Sequence, residues 1–536
     1  MNFICFDTED NSKELLESGK SGFDKQVTQI AVIAGNGDRY YNKGDIPAFL
    51  KWIGQRKEQF IYAHNVQYDI GNLFGDNVDI LDTTLVGGRL IKSKWGVKFF
   101  YDSFNVWPMS AAKLGKAFGL DKLDTKSMAT DKEYVFRDVE IIHAAMTFAW
   151  KFCEMLGIPN LPATLGGLAL KVWKHFGGEN CHDSNPSSRA AYYGGRVELF
   201  KPENEFPLVA YTDINSLYPY VMQGKFPGML SDCGTELQEY GVATVDIEQP
   251  ETDLGILPYR DEIGRILYPW GKFTGTWTML EIQAAVTNGA KISKVHQCWG
   301  TNETMQPYGE FVRRLYSARL ESTSEAEKLF FKLLMNNLYG RLGSSGKIGR
   351  TVWQTEKNRN DGVPFGSKVL VNMTMPLDQN TNWCHAAYVT AYGRLELLKY
   401  LKFAGIENMI YCDTDSVIFD VKNKQLPFQV GNELGVMKLV GHHKHCRTYA
   451  PKTYQIGKES KAKGVPQRLA AEFIRTGVAE FDLPFKFREA VVFFDRDNSK
   501  KLSVWRKVVK TMRAEYKKKK LIKSRFYPLQ ISAIAP

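Results

Sequence analysis

The chain has 536 residues and is 44% hydrophobic, enough apolar material for two or more separate cores. Its 70 Lys and Arg against 59 Asp and Glu give a formal charge of +11, which suits a nucleic-acid partner and, almost equally, a solvated basic surface. Eight cysteines without a Cys-x-x-Cys pair argue against a zinc module or a disulfide scaffold. With no basic leader or long apolar run, we expect a soluble intracellular protein that does not associate with membranes.

The predicted elements change character along the first half of the chain. Residues 1–150 mix short β-branched runs, such as 29–33, with a helical stretch at 135–148, which is an α/β pattern. Glycine and proline are frequent at 150–195 and predict a domain boundary there. Strands and turns are predicted for most of 205–300.

The second half begins with two predicted helices within 308–339, separated at 321–323. Ser324 fits a capping box that opens the second helix, and Gly340 fits its C-cap. Residues 341–380 are turn-rich and polar, and a helix is predicted at 386–402. A strand is predicted to enter Ile410-Tyr411, and the C-terminal part is basic, with an unbroken lysine run at Lys517–Lys520.

Three aspartates accompany two separated strand-like runs, with Asp413 and Asp415 in one run and Asp213 in the other. In an extended chain Asp413 and Asp415 point to the same face, where two carboxylates repel each other unless a cation lies between them. If Asp213 lies on a neighbouring strand, the three acids could hold two divalent cations roughly 3.5–4 Å apart. Because Asp-x-Asp is also common in turns, this prediction depends on the other motifs.

A further set of polar residues lies on the second predicted helix. Lys332, Asn336 and Tyr339 are spaced i, i+4 and i+7 and therefore share one face. A cation, an amide and an aromatic ring form a poor core face but suit a nucleoside triphosphate, whose phosphates Lys332 would neutralise. Arg319 is a candidate second cation, although an ordinary solvated helix arginine would look the same.

A second acidic constellation is predicted near the N-terminus. Asp7 and Glu9 directly follow a strand-like run, and Asp69 and Asp138 come from two later segments. Tyr134 is the i, i+4 partner of Asp138 on a helix, so a hydroxyl and a carboxylate share a face. Four acids from three segments could bind two cations that activate a water molecule. Each segment alone is weak support, since acids are abundant.

These motifs together resemble those of family B DNA polymerases. The resemblance rests on three polymerase motifs and three exonuclease motifs in the family's order: Asp213-x-x-Ser216-Leu217-Tyr218-Pro219, Lys332-x-x-x-Asn336-x-x-Tyr339-Gly340, Tyr411-x-Asp413-Thr414-Asp415-Ser416, Asp7-Thr8-Glu9, His64-Asn65-Val66-Gln67-Tyr68-Asp69 and Tyr134-x-x-x-Asp138. The likeness covers essentially the whole chain. It implies a DNA-directed DNA polymerase that extends a primer with dNTPs and also has 3′–5′ exonuclease activity.

The resemblance assigns roles at the site of synthesis. It implies that Asp213 and Asp415 bind Mg²⁺, for which Mn²⁺ could substitute, and that Asp413 is an accessory acid. Tyr218 would pack under the sugar and exclude a 2′-hydroxyl, thereby selecting deoxynucleotides.

The same resemblance places Asn336 and Tyr339 in the nascent base-pair pocket, with Lys332 and Arg319 on the phosphates. Asn337 departs from the pattern, because the family usually has serine there. We therefore expect altered nucleotide affinity without loss of activity.

In the exonuclease, the resemblance gives metal binding to the four acids named above and water orientation to Tyr134. Asn65 and Tyr68 would contact the frayed single-stranded end of the primer. Lys122 or Lys126 could supply a cation near the scissile phosphate.

Further elements are similar to DNA-binding segments of the family. Tyr192, Gly194 and Gly195 match its Tyr-x-Gly-Gly element, which contacts the template, although an ordinary interdomain turn would look alike. Lys452 and Tyr454 match its Lys-x-Tyr element, where the lysine holds the primer terminus. Such contacts position DNA without reading its sequence.

The expected fold is an α/β exonuclease domain of the ribonuclease-H type, followed by an α+β right hand with palm, fingers and thumb. The compact length resembles the protein-primed polymerases of phages, viruses and linear plasmids, which implies a terminal (priming) protein as partner, a monomeric enzyme and, for a phage protein, the host cytoplasm. The predicted exonuclease domain is 1–155, and a connecting region follows at 156–195. The first palm segment is 196–307, with a priming-protein insertion at about 254–308. The fingers are 308–344, a processivity insertion is 345–380, the second palm segment is 381–450 and the thumb is 451–536.

Two alternatives stay open. One is a family B enzyme that initiates without any primer. The other is a non-catalytic DNA-binding protein derived from a polymerase, against which the intact acids argue, since clustered carboxylates without a cation only repel each other.

Overall fold

The structure is a computed structural model, and it describes the whole chain except residues 12–25, 124–130, 180, 202–204, 357, 359, 366, 422–425, 427, 485–504, 513–519, 523–524 and 534–536. Lys126 and most of the basic run at 517–520 lie outside the described residues. No described helix is both long enough and apolar enough to cross a membrane. Three large sheets organise the molecule.

The N-terminal sheet has ten strands. In spatial order they are Gly362–Phe365, Lys368–Thr374, Lys347–Trp353, Asp82–Val86, Arg89–Trp95, Lys98–Asp102, Phe60–Ala63, Phe3–Asp10, Val27–Ala34 and Arg39–Asn42. Helix Asp131–Met155 covers one face, because Val135, Val139 and Ile142 recur at helical spacing and are buried. The shorter helices of this region are Ile46–Gln55, Gln67–Phe74, Gly75–Ile80, Ser103–Asn105 and Ala111–Phe118. The predicted α/β pattern is confirmed.

Three strands of this sheet come from the segment 341–380, which the sequence predicted to be turn-rich. Arg350 pairs with Thr84, so the inserted hairpins extend the sheet edge. Lys368 is buried in the joint and donates to Asp82 Oδ1 at 2.8 Å. The prediction failed here because the glycine- and asparagine-rich composition carries no sign of pairing with an edge that lies far away in sequence.

The central sheet has seven antiparallel strands and carries the three aspartates of the second half. In spatial order the strands are Glu459–Lys461, Thr453–Ile456, Met437–Ala450, Glu205–Ile214, Ser416–Asp420, Met409–Asp413 and Val197–Leu199. Helix Trp383–Ala404 packs behind it and shares a core with the strands through Ala387, Leu397 and Leu401. The sequence predicted this helix, although with the shorter bounds 386–402.

Two projecting helices, Gly309–Glu321 and Glu325–Leu342, follow in the chain. The second helix carries the polar stripe that was predicted from the sequence, Lys332, Asn336 and Tyr339. Ser324 caps the second helix and accepts the Glu327 N–H at 3.4 Å, as predicted. The predicted C-cap at Gly340 is wrong. The helix continues to Leu342, and Gly343 caps it, because the backbone at position 340 keeps its helical conformation.

The third sheet has five strands and takes up most of the chain between the first central-sheet strands and the two helices. Its strands are Ser231–Asp232, Lys291–Thr301, Tyr240–Gln249, Trp270–Thr278 and, near the C-terminus, Gln530–Ala533. Helix Met279–Thr287 covers one face, where Val245, Phe273 and Trp277 are buried.

The remaining elements are short. They are helices Leu165–His175, Pro186–Ala190, Leu217–Val221, Gln467–Leu469 and Ala470–Thr476, and the strand pairs Phe226–Pro227 with Thr304–Met305, Tyr259–Arg260 with Ile266–Leu267, Val478–Pro484 with Trp505–Thr511, and Lys520–Ile522 with Arg525–Tyr527. Near the C-terminus, Phe473, Ala479 and Phe481 form a separate small core.

Candidate active sites

Two aspartates meet at one end of the central sheet. Asp213 pairs with Ser416 on the neighbouring strand, and the Ile214 N–H donates to the main-chain oxygen of Asp415 at 2.7 Å. Burial and then the charge of Asp213 raise the pKa of Asp415 to about 7. Burial also raises the pKa of Asp213, against the opposing charge of Lys332. The two carboxylates therefore share one electrostatic site.

Asp413 stands beside this pair in a different environment. It accepts hydrogen bonds from the Tyr411 hydroxyl at 3.1 Å and the Thr414 hydroxyl at 3.2 Å, and its Oδ1 lies 3.5 Å from Lys452 Nζ. The Asp413 carboxylate is thus engaged by its own neighbours, which fits an accessory role.

The second of the two projecting helices brings the predicted polar stripe to the aspartates. Lys332 is exposed, and its positive charge partly offsets the rise that burial causes in the pKa of Asp213 and of Asp415. The ring centroids of Tyr339 and Tyr218 lie 4.6 Å apart, so the stripe reaches the segment that follows Asp213.

The first projecting helix contacts the same segment, since Arg319 Nη1 donates to the Ser216 hydroxyl at 3.1 Å. The Asn336 amide donates to the main-chain oxygen of Lys332 at 3.0 Å. The Asn337 amide likewise donates to its own helix, to Leu333 O at 2.7 Å. All five residues predicted to contact the nucleotide therefore lie on the two helices or on the segment that these helices face: Tyr218, Arg319, Lys332, Asn336 and Tyr339.

The N-terminal acids form a tighter group. One ligand atom each from Asp7, Glu9 and Asp138 lie within 4.8 Å of one another. Burial and the charge of Asp138 raise the pKa of Glu9 to about 7, and burial with the charges of Asp69 and Glu9 raises that of Asp7. Three acids in one small volume favour a cation between them.

Asp69 and Lys122 complete this group. Asp69 accepts the Thr8 N–H at 3.1 Å and the Thr8 hydroxyl at 2.7 Å, and burial raises its pKa to about 8. Lys122 Nζ lies 2.6 Å from Asp138 Oδ2 and 5.5 Å from the centroid of the Tyr134 ring. Lys122 therefore lies beside these acids, and its role near the scissile phosphate stays a prediction.

Asn65 and Tyr68 lie at the rim of this group. Asn65 is exposed and has a φ of 63°, and its N–H donates to Asp102 Oδ1 at 2.9 Å. The Tyr68 hydroxyl donates to Asp10 Oδ2. The Asn65 side chain is therefore accessible to solvent, whereas the Tyr68 hydroxyl already has a hydrogen-bond partner in Asp10.

The predicted DNA elements lie beside the central acids. A Cβ on Gly195 would approach Thr414 Oγ1 to 2.6 Å, so the glycine permits close packing against the turn between Asp413 and Asp415. Lys452 is exposed and has a φ of 61°. Tyr454 is only 7% exposed and packs against Tyr411, so its contact with DNA stays a prediction.

No pattern in the sequence indicated which groups hold the remaining part of the Tyr192–Gly195 element. Arg394 Nη1 donates to the main-chain oxygens of Tyr193 at 3.0 Å and Gly194 at 2.7 Å. Arg394 also forms a buried ion pair with Glu281 at 2.8 Å. A charged residue inside a predicted helix normally indicates a solvated face. Because Arg394 and Glu281 lie on two helices that are distant in sequence, neither residue's neighbours in the sequence indicate that the two form a buried ion pair.

The residues at both sites fit divalent cations. Carboxylate oxygens are the hard ligands that Mg²⁺ prefers, and each site brings two or more of them together. In the N-terminal group, Asp138 Oδ1 is buried and has no hydrogen-bond partner among the described residues. A buried carboxylate oxygen without a donor is costly, and a metal ion would satisfy it.

Comparisons with known proteins agree with this geometry. The family model of DNA polymerase type B, organellar and viral, matches residues 122–361. A DNA-directed DNA polymerase of Enterobacteria phage PRD1 is 25% identical over 431 residues, which are 73% of this chain and 73% of that protein. A probable DNA polymerase of Podospora anserina is 28% identical over 382 residues, which are 60% of this chain but only 31% of the fungal protein.

Solved structures of Phi29 DNA polymerase share the fold. The orthorhombic crystal form superposes with a TM-score of 0.75 at 15% identity and covers 95% of this chain and 100% of that one. A complex with primer-template DNA and incoming nucleotides gives a TM-score of 0.70 at 16% identity, with the same coverage. The predicted fold, a ribonuclease-H-like domain followed by a right hand, is confirmed. The chain is therefore similar to DNA polymerases of type B, organellar and viral, in sequence and shares the fold of Phi29 DNA polymerase.

Proposed function

We propose that the protein is a DNA-directed DNA polymerase that adds dNTPs to a primer 3′ end, and that its N-terminal domain is a proofreading 3′–5′ exonuclease. The observation that carries the proposal is the presence of two separate carboxylate sites, each beside a lysine: Asp213 and Asp415 with Lys332, and the Asp7–Glu9–Asp138 group with Lys122. Clustered acids suit catalysis by paired metal ions.

In the proposed synthesis, the central sheet and the two projecting helices, here the fingers, hold the reactants from opposite sides. When bound, two Mg²⁺ ions would activate the primer 3′-hydroxyl and stabilise the leaving pyrophosphate. Lys332 would neutralise the triphosphate, with Arg319 as a second cation. The adjacent rings of Tyr218 and Tyr339 would form the floor under the incoming sugar and base.

In the proposed exonuclease reaction, a water molecule replaces the hydroxyl as the nucleophile. Tyr134 would orient that water, and Lys122 would stabilise charge on the scissile phosphate from the position where it now pairs with Asp138. The exposed Asn65 side chain would hold the unpaired primer end.

Separation of the two activities tests the proposal. Asp213→Ala and Asp415→Ala should abolish Mg²⁺-dependent primer extension while the degradation of single-stranded DNA persists. Asp7→Ala combined with Asp69→Ala should do the reverse. Asp420→Asn is a matched control, because Asp420 lies at the far end of the Asp415-adjoining strand and pairs with Lys201 at 3.2 Å. If an alanine variant at position 213 or 415 extends primers normally, that residue is not a metal ligand.

We further propose that a terminal protein primes synthesis. The predicted docking insertion, 254–308, contributes two strands and a helix to the third sheet, which is a different sheet from the one that carries Asp213 and Asp413. Incubation with template, dNTPs and Mg²⁺, with and without a candidate terminal protein, tests this step. Nucleotide attachment to that protein supports it, whereas products made without it and without a primer contradict it.

A further inference from the structure

A buried arginine lies between the turn that carries Asp413 and Asp415 and the third sheet. This residue, Arg196, precedes strand Val197–Leu199, and only 1% of its surface is exposed. The mechanisms proposed above do not use it. Burying a guanidinium is costly unless its donors are paired, so its contacts indicate what it holds in place.

The guanidinium is fixed on three sides. Nε donates to Glu198 Oε2 at 2.5 Å, and both side chains of this ion pair are buried. Nη1 donates to the main-chain oxygen of Gly255 at 2.9 Å. The guanidinium carbon lies 4.2 Å from the centroid of the Tyr268 ring. Gly255 and Tyr268 precede strand Trp270–Thr278 of the third sheet, so the segment 255–268 contacts the end of the Arg196 side chain.

The main chain of Arg196 supports the catalytic turn. The Thr414 N–H donates to the main-chain oxygen of Arg196 at 2.7 Å. Thr414 has a φ of 64°, a left-handed conformation that a β-branched residue rarely adopts without external support. Since Gly195 packs directly on the Thr414 side chain, the segment 195–196 touches the turn through two kinds of contact.

We propose that Arg196 is a positioning residue for the turn between Asp413 and Asp415, and that residues 255–268 set the geometry of this turn by holding the guanidinium. The inference rests on the proposed polymerase function, because it concerns the acids to which that function assigns the metal ions. It makes the third-sheet region part of what shapes the site of synthesis.

The chemistry of the side chain makes the proposal specific. Arginine offers a planar fork that can pair with a carboxylate, donate to a carbonyl and stack on a ring at the same time, whereas lysine is a single flexible point charge. Arg196→Lys therefore keeps the charge next to Glu198 and loses the fixed geometry.

The first test measures kcat, the dNTP KM and the Mg²⁺ concentration for half-maximal primer extension in the full-length protein. For Arg196→Lys we expect kcat to fall about 10- to 100-fold, since a small displacement of catalytic groups has effects of this size. The half-saturating Mg²⁺ concentration should rise, while the dNTP KM and the degradation of single-stranded DNA should stay at wild-type values.

A pair of substitutions at Tyr268 isolates the stacking contact and leaves the Arg196–Glu198 ion pair in place. Tyr268→Leu removes the ring and should shift kcat and the Mg²⁺ dependence in the same direction as Arg196→Lys. Tyr268→Phe keeps the ring, and the Tyr268 hydroxyl has no hydrogen-bond partner within the part of the chain that is described, so this variant should match the wild type.

The outcomes separate this inference from the proposed function. If the wild type incorporates no dNTP, the proposed function is wrong. If the wild type is active while Arg196→Lys and Tyr268→Leu keep its kcat and Mg²⁺ dependence, the inference is overturned. It is also overturned if both variants lose exonuclease together with synthesis, because Arg196 would then only hold the fold. Should Arg196→Lys fail to fold, the two Tyr268 variants decide.

Discussion

The two acidic sites of this protein are built differently. In the N-terminal domain, three carboxylates already lie within 4.8 Å of one another, and Lys122, from the same domain, pairs with one of them. At the central sheet, Asp213 and Asp415 share a site with Asp413 beside them, and the cation that acts on both, Lys332, comes from helix Glu325–Leu342. The proposed exonuclease site thus draws its acids and its lysine from the N-terminal part of the chain, whereas the proposed site of synthesis combines the central sheet with a lysine from a separate helix.

This difference follows from the substrates that each proposed reaction requires at its site. A hydrolytic site needs only water and one strand, so its donors can be fixed in advance. A synthetic site must also receive a triphosphate, whose charge has to be matched by a cation that arrives with the nucleotide-binding surface. The two lysines should therefore fail in different ways when they are removed.

The largest effect is expected for Lys332→Ala. Removing the cation that faces both Asp213 and Asp415 should lower kcat/KM for dNTP incorporation about 10³-fold, the scale found for cations that stabilise phosphoryl transfer. Exonuclease activity should be unchanged. Steady-state primer extension and single-strand degradation measure both effects. Lys328→Ala, one helical turn earlier at a solvent-exposed ion pair with Glu325, is the control.

Lys122→Met should produce the complementary loss. Exonuclease activity should fall about 10²-fold, a typical cost of removing one stabilising donor from a catalytic site. Primer extension should remain at the wild-type rate. Degradation of a labelled single strand measures the loss, with Lys116→Met on a neighbouring helix as the control. Equal losses in both reactions would contradict the assignment of Lys122 to one site only.

Metal removal should weaken the fold in a pH-dependent manner. Folded-state pKa values near 7 for Glu9 and Asp415, and near 8 for Asp69, lie above those of the unfolded chain. Without metal, the folded chain therefore binds more protons, and its stability falls as pH rises from about 5 to about 8. Mg²⁺ binds the ionised form, so its stabilising effect should grow over the same range.

Thermal unfolding with EDTA or with Mg²⁺, measured at several pH values, checks this prediction. The Glu9→Gln/Asp69→Asn variant should lose the share of the pH dependence that Glu9 and Asp69 contribute and keep the share of Asp415. A Mg²⁺ effect that is constant across this range would show that the raised pKa values do not describe the metal-free protein.

Local patterns predicted much of this molecule. Lys332, Asn336 and Tyr339 could be placed on one face because helical spacing is fixed, and the helix boundary at Ser324 could be located because a capping box is a short-range signal. Asp213 and Asp415 could be expected to lie near each other because their motifs resemble those of a known family, and the structure brings them together. In each case the information lies within a few residues of the site.

Contacts between distant segments could not be predicted in this way. The strand pairing of Arg350 with Thr84 and the buried pair of Arg394 with Glu281 join segments that are far apart in sequence. Neither residue of such a pair looks unusual in its own surroundings. The same is true of Arg196, which stands after two glycines like an ordinary surface arginine.

The smallest effect is expected at the position that departs from the family pattern. The Asn337 amide donates to Leu333 O at 2.7 Å within its own helix, so this side chain is held back from the face that carries Lys332. Asn337→Ser should therefore change the dNTP KM only a few-fold, about 1 kcal/mol or less, which is the usual worth of one neutral hydrogen bond. The kcat and the exonuclease rate should be unchanged. Single-nucleotide incorporation across a range of dNTP concentrations measures the change, and a loss comparable to that of Lys332→Ala would mean that Asn337 contacts the nucleotide directly.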